Sequence, residues 1–203
     1  VDEQAEIIGC DLTTAWLAQR FLKDNPGAAI VYDLRSSRSL PEIIDEAGGR
    51  GIRSRVGHVF MKQLMAEHDA IFGGELSGHF YFRDNFYADS GAIAFAVVVS
   101  AVASSNKRLS TQIEPARRYV QSGEINFRVE EKEEALELLQ EAYPDAEVDE
   151  LDGITLVLDG WWVNVRASNT EPLLRLNIEA RDPHTINEQL EKIAPLLGER
   201  VNH

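Results

Sequence analysis

The hydrophobic period changes once along this chain, and that change limits the fold more than any other feature. Up to about residue 105, short apolar runs of strand length alternate with helical patterns. "AAIVYDL" (28 to 34) is continuous and apolar, "GIRSRV" reads as a strand, and "AIFGGEL" reads as a third, buried strand. Between them lie "DLTTAWLAQRFLK", with Asp11 as the expected N-cap, "SLPEIIDEAGG", with Pro41 in its first turn, and "GHVFMKQLMAEHD". The polar stretch "SGHFYFRDNFYADSG" reads as a loop, and "GAIAFAVVVSAVA" (91 to 103) as a buried helix. Strands alternating with helices define a layered α/β domain with a mostly parallel sheet.

From residue 124 the pattern becomes one of alternating strands: "EINFRV", "GITLVL", "WWVNVR" and "LLRLNIEA". Two amphipathic helices accompany them. "EKEEALELLQEAY" places Leu136, Leu139 and Tyr143 on one face, and "DPHTINEQLEKIAPLLG" has Asp182 as N-cap, Pro183 in its first turn and a stripe of Ile186, Leu190, Ile193 and Leu197. That is a small α+β domain with an antiparallel sheet and two helices. Residues 106 to 123 read as a connector and a hinge, and the expected division is 1–110 and 111–203.

Charge and cysteine narrow the function. The formal net charge of −14 repels nucleic acid, acidic membranes and phosphorylated ligands alike. Neither a nucleic-acid nor a membrane partner is expected, and any anion site must be a local cluster of donors working against that field. The lone Cys10 excludes an internal disulfide and fits a reducing cytosol. The acidic opening "VDEQAEIIGCD" lacks the zones of a signal peptide, and the apolar run 91 to 103 is too short to span a bilayer, so a soluble, cytoplasmic protein is expected.

Two loops carry the candidate chemistry. In "VNVRASNTEPLLRLNIEA" (163 to 180) two alternating strands are separated by a polar segment longer than a tight hairpin needs. Alternation puts Leu174, Leu176 and Ile178 on one face and Arg175, Asn177 and Glu179 on the other, and likewise separates Val163 and Val165 from Asn164 and Arg166. Arg166 and Arg175 therefore share the face opposite the helices, with Ser168, Asn169 and Thr170 between them. Planar guanidinium forks and loop N–H groups match a phosphate. The bland alternative is a turn in which Ser, Asn and Thr satisfy their own backbone and Arg166 pairs with Glu171.

The second loop, "GGELSGH" (73 to 79), ends a strand of the α/β domain, where ligand sites cluster. Glu75 has the acceptors for two sugar hydroxyls, Ser77 and His79 stand beside it, and the glycines let backbone approach a ligand. Here the alternative is a glycine-rich turn with Glu75 paired to an arginine.

Four stretches, in order, resemble the α-D-phosphohexomutases, the phosphomannomutase/phosphoglucomutase family. "RASNTEP" is similar to the phosphate-binding loop of their C-terminal domain. "GELSGH" is similar to the sugar-recognition loop of their third domain, in which the glutamate holds adjacent hexose hydroxyls. "DLRSSRS" (33 to 39) resembles a strand-end segment contributing a basic residue, here Arg35, and "RVGHVFMK" (55 to 62) the segment bearing an active-site histidine, here His58. The resemblance implies a sugar-binding set of Glu75, Ser77, His79, Arg35 and His58, and a phosphate-binding set of Arg166, Ser168, Asn169 and Thr170, to which strand geometry adds Arg175. Ala167 and Asn169 stand where phosphoglucosamine mutases carry proline and glycine.

The family's Ser-His-Asn-Pro phosphoserine stretch and Asp-Gly-Asp-x-Asp-Arg metal loop are not in this sequence; Asp152-Gly153 and Asp159-Gly160 read as turns. The resemblance thus implies the C-terminal half of a mutase interconverting hexose 6-phosphate and hexose 1-phosphate, inactive alone. Its implied partners are hexose phosphates and the missing N-terminal half. Mg²⁺ and hexose 1,6-bisphosphate are cofactor and intermediate of the parent, with no metal ligands expected here. The alternatives are a non-catalytic phosphosugar-binding module and a structural domain without a ligand.

Overall fold

The computed structural model describes residues 1–168 and 171–201, and the chain divides into two units, Val1–Arg118 and Tyr119–His203. The first begins with α1 (Cys10–Asp24), β1 (Ala29–Asp33), α2 (Ser39–Glu46), β2 (Arg50–Ser54), α3 (His58–Glu67) and β3 (Phe72–Gly74). It continues with β4 (Phe80–Phe82), β5 (Ala88–Asp89), α4 (Gly91–Ala103) and α5 (Leu109–Ile113). The sheet runs β2-β1-β3-β4-β5, parallel at β2-β1-β3 and antiparallel beyond.

The unbroken apolar run of β1 has a simple cause. Ile30 and Tyr32 pack with α1 and α2, while Ala29 and Val31 pack on the other face with Met61 and Met65 of α3. A strand covered on both faces leaves no place for polar alternation. Gly74 lets α1 press on the end of β3: a Cβ there would meet Thr14 Oγ1 at 2.1 Å. The glycine serves helix–strand contact.

Three expectations are corrected here. The "polar loop" after β3 holds β4 and β5, short aromatic strands that extend the sheet. The apolar helix α4 is buried on one side only: Ala94 and Ala101 are covered, but Phe95 is 72 % and Val99 49 % exposed. Residues after 106 are no loose connector, since Ile113 of α5 and Ala116 of the following 3-10 turn join the first unit's core. Arg118, paired with Glu42 at 3.0 Å and Glu46 at 2.6 Å, still belongs to the first unit, so the boundary falls at 118/119 where 110/111 was expected.

Asp11 does not cap α1, which starts at Cys10 behind Gly9. Its buried carboxylate instead accepts from Leu12 N at 2.8 Å and Ser37 N at 3.0 Å, tying α1 to the loop after β1. Burial pushes the Asp11 carboxyl above its ordinary value, against the lowering effect of those hydrogen bonds. A carboxyl raised in the native state takes up its proton there before the unfolded chain does. Its penalty on stability is full above the raised value and vanishes below the ordinary aspartate value. Relative to Asp11→Asn, the wild-type protein is expected to gain stability as pH falls through that window. Urea midpoints of both proteins across pH check this, and parallel curves would refute it.

The second unit comprises β6 (Val120–Gln121), β7 (Ile125–Arg128), α6 (Lys132–Ala142), β8 (Glu147–Asp149), β9 (Ile154–Leu158), β10 (Trp161–Ala167), β11 (Leu173–Ala180), α7 (Pro183–Leu197) and β12 (Glu199–Val201). Its antiparallel sheet runs β12-β7-β11-β10-β9-β8, with β6 beside β11. Val163, Val165, Leu174, Leu176 and Ile178 meet Leu139 of α6 and Ile186, Ile193 and Leu197 of α7 in one core. Asp182 caps α7 as expected, accepting from Thr185 N at 2.9 Å. Gly153 is required at the turn before β9: its φ is +67°, and a Cβ would lie 2.3 Å from Val165 O. Among the described residues no helix is long and apolar enough to cross a membrane.

Candidate functional site

In the first unit the sheet order β2-β1-β3 puts a switch point at β1, whose neighbours are reached by connections leaving in opposite directions. Crevices of open α/β sheets form at the carboxyl ends of strands around such a point. Glu75 follows β3 there and is 3 % exposed. Its Oε2 accepts from Tyr81 OH at 2.5 Å and its Oε1 from Gly57 N at 3.2 Å, with His79 Nδ1 3.8 Å from Oε2. The loop closes on itself through Glu75 N to His79 O at 2.9 Å and Gly78 N to Glu75 O at 3.0 Å. Ser77 Oγ lies 3.0 Å from His79 Nδ1.

The partner of Glu75 is thus a tyrosine, not an arginine. Burial, reinforced by the bond to Glu75, pushes the Tyr81 hydroxyl far above its usual range, so it stays a donor. Glu75, Ser77, His79 and His58 line a cleft of about 430 Å³ with Gly57, Lys62 and Asp89. Arg35 is not among the residues lining this cleft; its Nη2 lies 2.9 Å from Asp33 Oδ2.

Sequence reasoning missed Lys62. It stands four residues after His58 on α3, and that spacing puts both on one helix face, so the signal was available. Lys62 Nζ pairs with Asp89 at 3.5 Å, an ion pair exposed enough to contribute little to stability. Lys62→Ala is expected to leave the unfolding midpoint unchanged. Paired thermal melts test that, and a midpoint lowered by several degrees would refute it.

In the second unit Arg166 and Arg175 stand directly opposite each other across β10 and β11, on the face away from the helices. Glu124 bridges them, with Oε2 2.7 Å from Arg166 Nη2 and Oε1 3.4 Å from Arg175 Nη1. Glu171 pairs with Arg175 at 3.3 Å, and Arg166 pairs with Glu124. Lys132 of α6 adds a third cation, donating to Glu171 O at 3.2 Å. Ser168 is buried and its N–H donates to Leu173 O at 2.9 Å, closing the loop. Asn169 and Thr170 lie outside the described residues. Glu124, just before β7, and Lys132, which opens α6, are distant in sequence, and no local pattern marks them as neighbours of the loop.

Larger but chemically blander is a groove of about 610 Å³ between α1 and α4, lined largely by apolar side chains and by none of the candidate residues. Among the described residues no group of three or more His, Cys, Asp and Glu side chains is placed to hold a metal ion.

The chain belongs to the phosphoglucomutase/phosphomannomutase family: the family's alpha/beta/alpha domain III matches residues 10–119, and its C-terminal domain matches residues 124–196. The phosphomannomutase of Methanocaldococcus jannaschii is 46 % identical over 198 residues, which are 98 % of this chain and 44 % of that protein. A crystal structure of a phosphoglucomutase/phosphomannomutase family protein from Burkholderia thailandensis superposes with a TM-score of 0.82 at 27 % identity, over 95 % of this chain and 42 % of that one. Aspergillus fumigatus N-acetylphosphoglucosamine mutase, solved with GlcNAc-6P and magnesium, shares the fold at a TM-score of 0.72 and 14 % identity, over 96 % of this chain and 48 % of that one. The chain therefore spans less than half the length of these relatives.

Proposed function

We propose that this chain is the sugar- and phosphate-recognition half of a phosphohexomutase that interconverts hexose 6-phosphate and hexose 1-phosphate. The observation that carries the reading is the Arg166–Arg175 pair, two guanidinium groups facing across one ladder beside a serine-bearing loop. Paired planar forks suit the oxygens of a phosphate better than those of any neutral ligand. Ser168, Asn169 and Thr170 complete that clasp in the proposal. In the first unit, Glu75 and Ser77 hold sugar hydroxyls, and His58, His79 and Arg35 flank them.

In such a reaction a phosphoserine donates its phosphoryl group to the free hydroxyl, and the resulting hexose 1,6-bisphosphate turns over and donates back. Catalysis rests on positioning and on charge stabilisation. The residues described here position; the serine and the Mg²⁺ ligands would come from the half that the relatives have in addition, and among the described residues no group of side chains is placed to hold a metal ion. Arg166 and Arg175 would grip the phosphate that is not reacting, which allows the sugar to bind in either orientation. This half is proposed to be inactive alone and to work in the cytoplasm.

Titration with mannose 1-phosphate, glucose 1-phosphate and inorganic phosphate, followed by amide NMR shifts, tests the reading. Hexose phosphates are expected to shift the 75–79 loop and residues around 166–168, and inorganic phosphate only the latter. No shift with any of them at millimolar concentration would overturn it.

A further inference from the structure

No sequence signature gives Asp33 a role, yet its carboxylate is fully buried at the C-terminal end of β1. Its Oδ1 accepts from Arg35 N at 2.8 Å and Arg35 Nε at 3.1 Å. Its Oδ2 accepts from Arg35 Nη2 at 2.9 Å and from Leu76 N at 2.8 Å. Those donors fill the roughly four lone-pair positions that a carboxylate offers.

The arrangement is more than is needed to end a strand. A buried charge is retained at a desolvation penalty that an apolar side chain in the same place would avoid. What this carboxylate achieves is geometric: it joins segments that follow two different strands. One is the 34–38 turn after β1, which carries Arg35, and the other is the 75–79 loop after β3, which carries Glu75. The bidentate grip on Nε and Nη2 fixes the plane and direction of the guanidinium. The bond to Leu76 N pins the residue next to Glu75. On the other side of the same turn, Asp11 holds Ser37 N from α1, so the turn is anchored at both of its ends.

We propose that Asp33 is the positioning residue of the first unit's site. It ties the turn that carries Arg35 to the Glu75 loop, so that Glu75 meets a hexose phosphate from a fixed position. This rests on the hexose phosphate reading given above.

The test compares wild-type protein with Asp33→Asn, which preserves size but turns one acceptor into a donor facing Arg35 or Leu76. Both are titrated with mannose 1-phosphate under conditions where their β1 and β3 amide signals are native. The variant is expected to bind about tenfold or more weakly, because a donor turned toward Arg35 or Leu76 leaves a buried group unpaired and loosens the tie. Its Leu76 amide and Arg35 Nε–H signals are expected to move even without ligand. Wild-type affinity in a folded Asp33→Asn overturns the proposal while leaving the hexose phosphate reading intact. Absence of binding by the wild-type protein sinks both. A residue that merely stabilised the fold would lower the unfolding midpoint without changing affinity in the folded protein. Should Asp33→Asn not fold, hydrogen exchange on the wild-type protein decides: Leu76 N–H and Arg35 Nε–H protected like the amides of β1 support the tie, and free exchange of either refutes it.

Discussion

Arg166→Ala is expected to weaken phosphate and hexose phosphate binding at the second unit by about 10–100-fold, since hydrogen bonds to charged groups contribute about 1.5–3 kcal/mol. The side chain is buried and its guanidinium faces Arg175 across the ladder, so alanine removes half of the proposed clasp. The fold is expected to survive the change. Glu124, the acid that loses Arg166, is 28 % exposed and keeps Arg175 as a partner. Arg166→Lys separates charge from shape: an ammonium keeps the charge but lacks the planar fork, so binding should fall between wild type and alanine. Titration with inorganic phosphate, following amides around 166–168, measures both variants. Wild-type affinity in Arg166→Ala would remove the clasp from the function of this unit.

Phe72→Ala is expected to destabilise the first unit by about 3–5 kcal/mol, the range for truncating a buried phenylalanine. Phe72 is fully buried, with its ring stacked on Phe21 at 4.8 Å and near Phe82 at 5.5 Å and Phe80 at 6.2 Å. The loss is large against a typical stability of about 5–15 kcal/mol for a whole domain. It also reaches the site, because Phe72 opens the three-residue strand that delivers Glu75. Chemical denaturation followed through the amide signals of β1 gives the number. A change below about 1 kcal/mol would mean that the aromatic cluster relaxes around the gap instead of leaving a cavity.

Much of this architecture was legible because period and burial are coupled. The run "AAIVYDL" has the length and unbroken apolar character of a buried strand, and the alternation in "WWVNVR" and "LLRLNIEA" assigns each side chain its face. The misreadings have equally physical sources. Asp11 had the chemistry of an N-cap, but its carboxylate found a partner 26 residues away in Ser37, which no local pattern records. β4 and β5 are too short to show a period, and their alternating neighbours include charged residues of the intervening 3-10 turn. The helix at 91–103 looked buried because composition reports what a surface prefers, not what covers it. For the site, the loops were readable as motifs, and their supports were not. Asp33, Tyr81 and Glu124 reach the candidate residues through pairings of the folded sheet and its loops, and a single sequence does not display such pairings as periodicity.

One consequence of the β10–β11 ladder concerns folding fidelity. In the native register Arg166 faces Arg175, Asn164 faces Asn177 and Trp162 faces Glu179, while Val165 with Leu176 and Val163 with Ile178 point to the helices. Sliding one strand by a single residue would turn Arg175, Asn177 and Glu179 toward the apolar core beneath α6 and α7. Burying even one such group without a partner costs several kcal/mol, and burying a charge costs more. The side chains proposed to grip an anion in the finished protein thus also proofread strand pairing, rejecting the misaligned hairpin long before any ligand arrives.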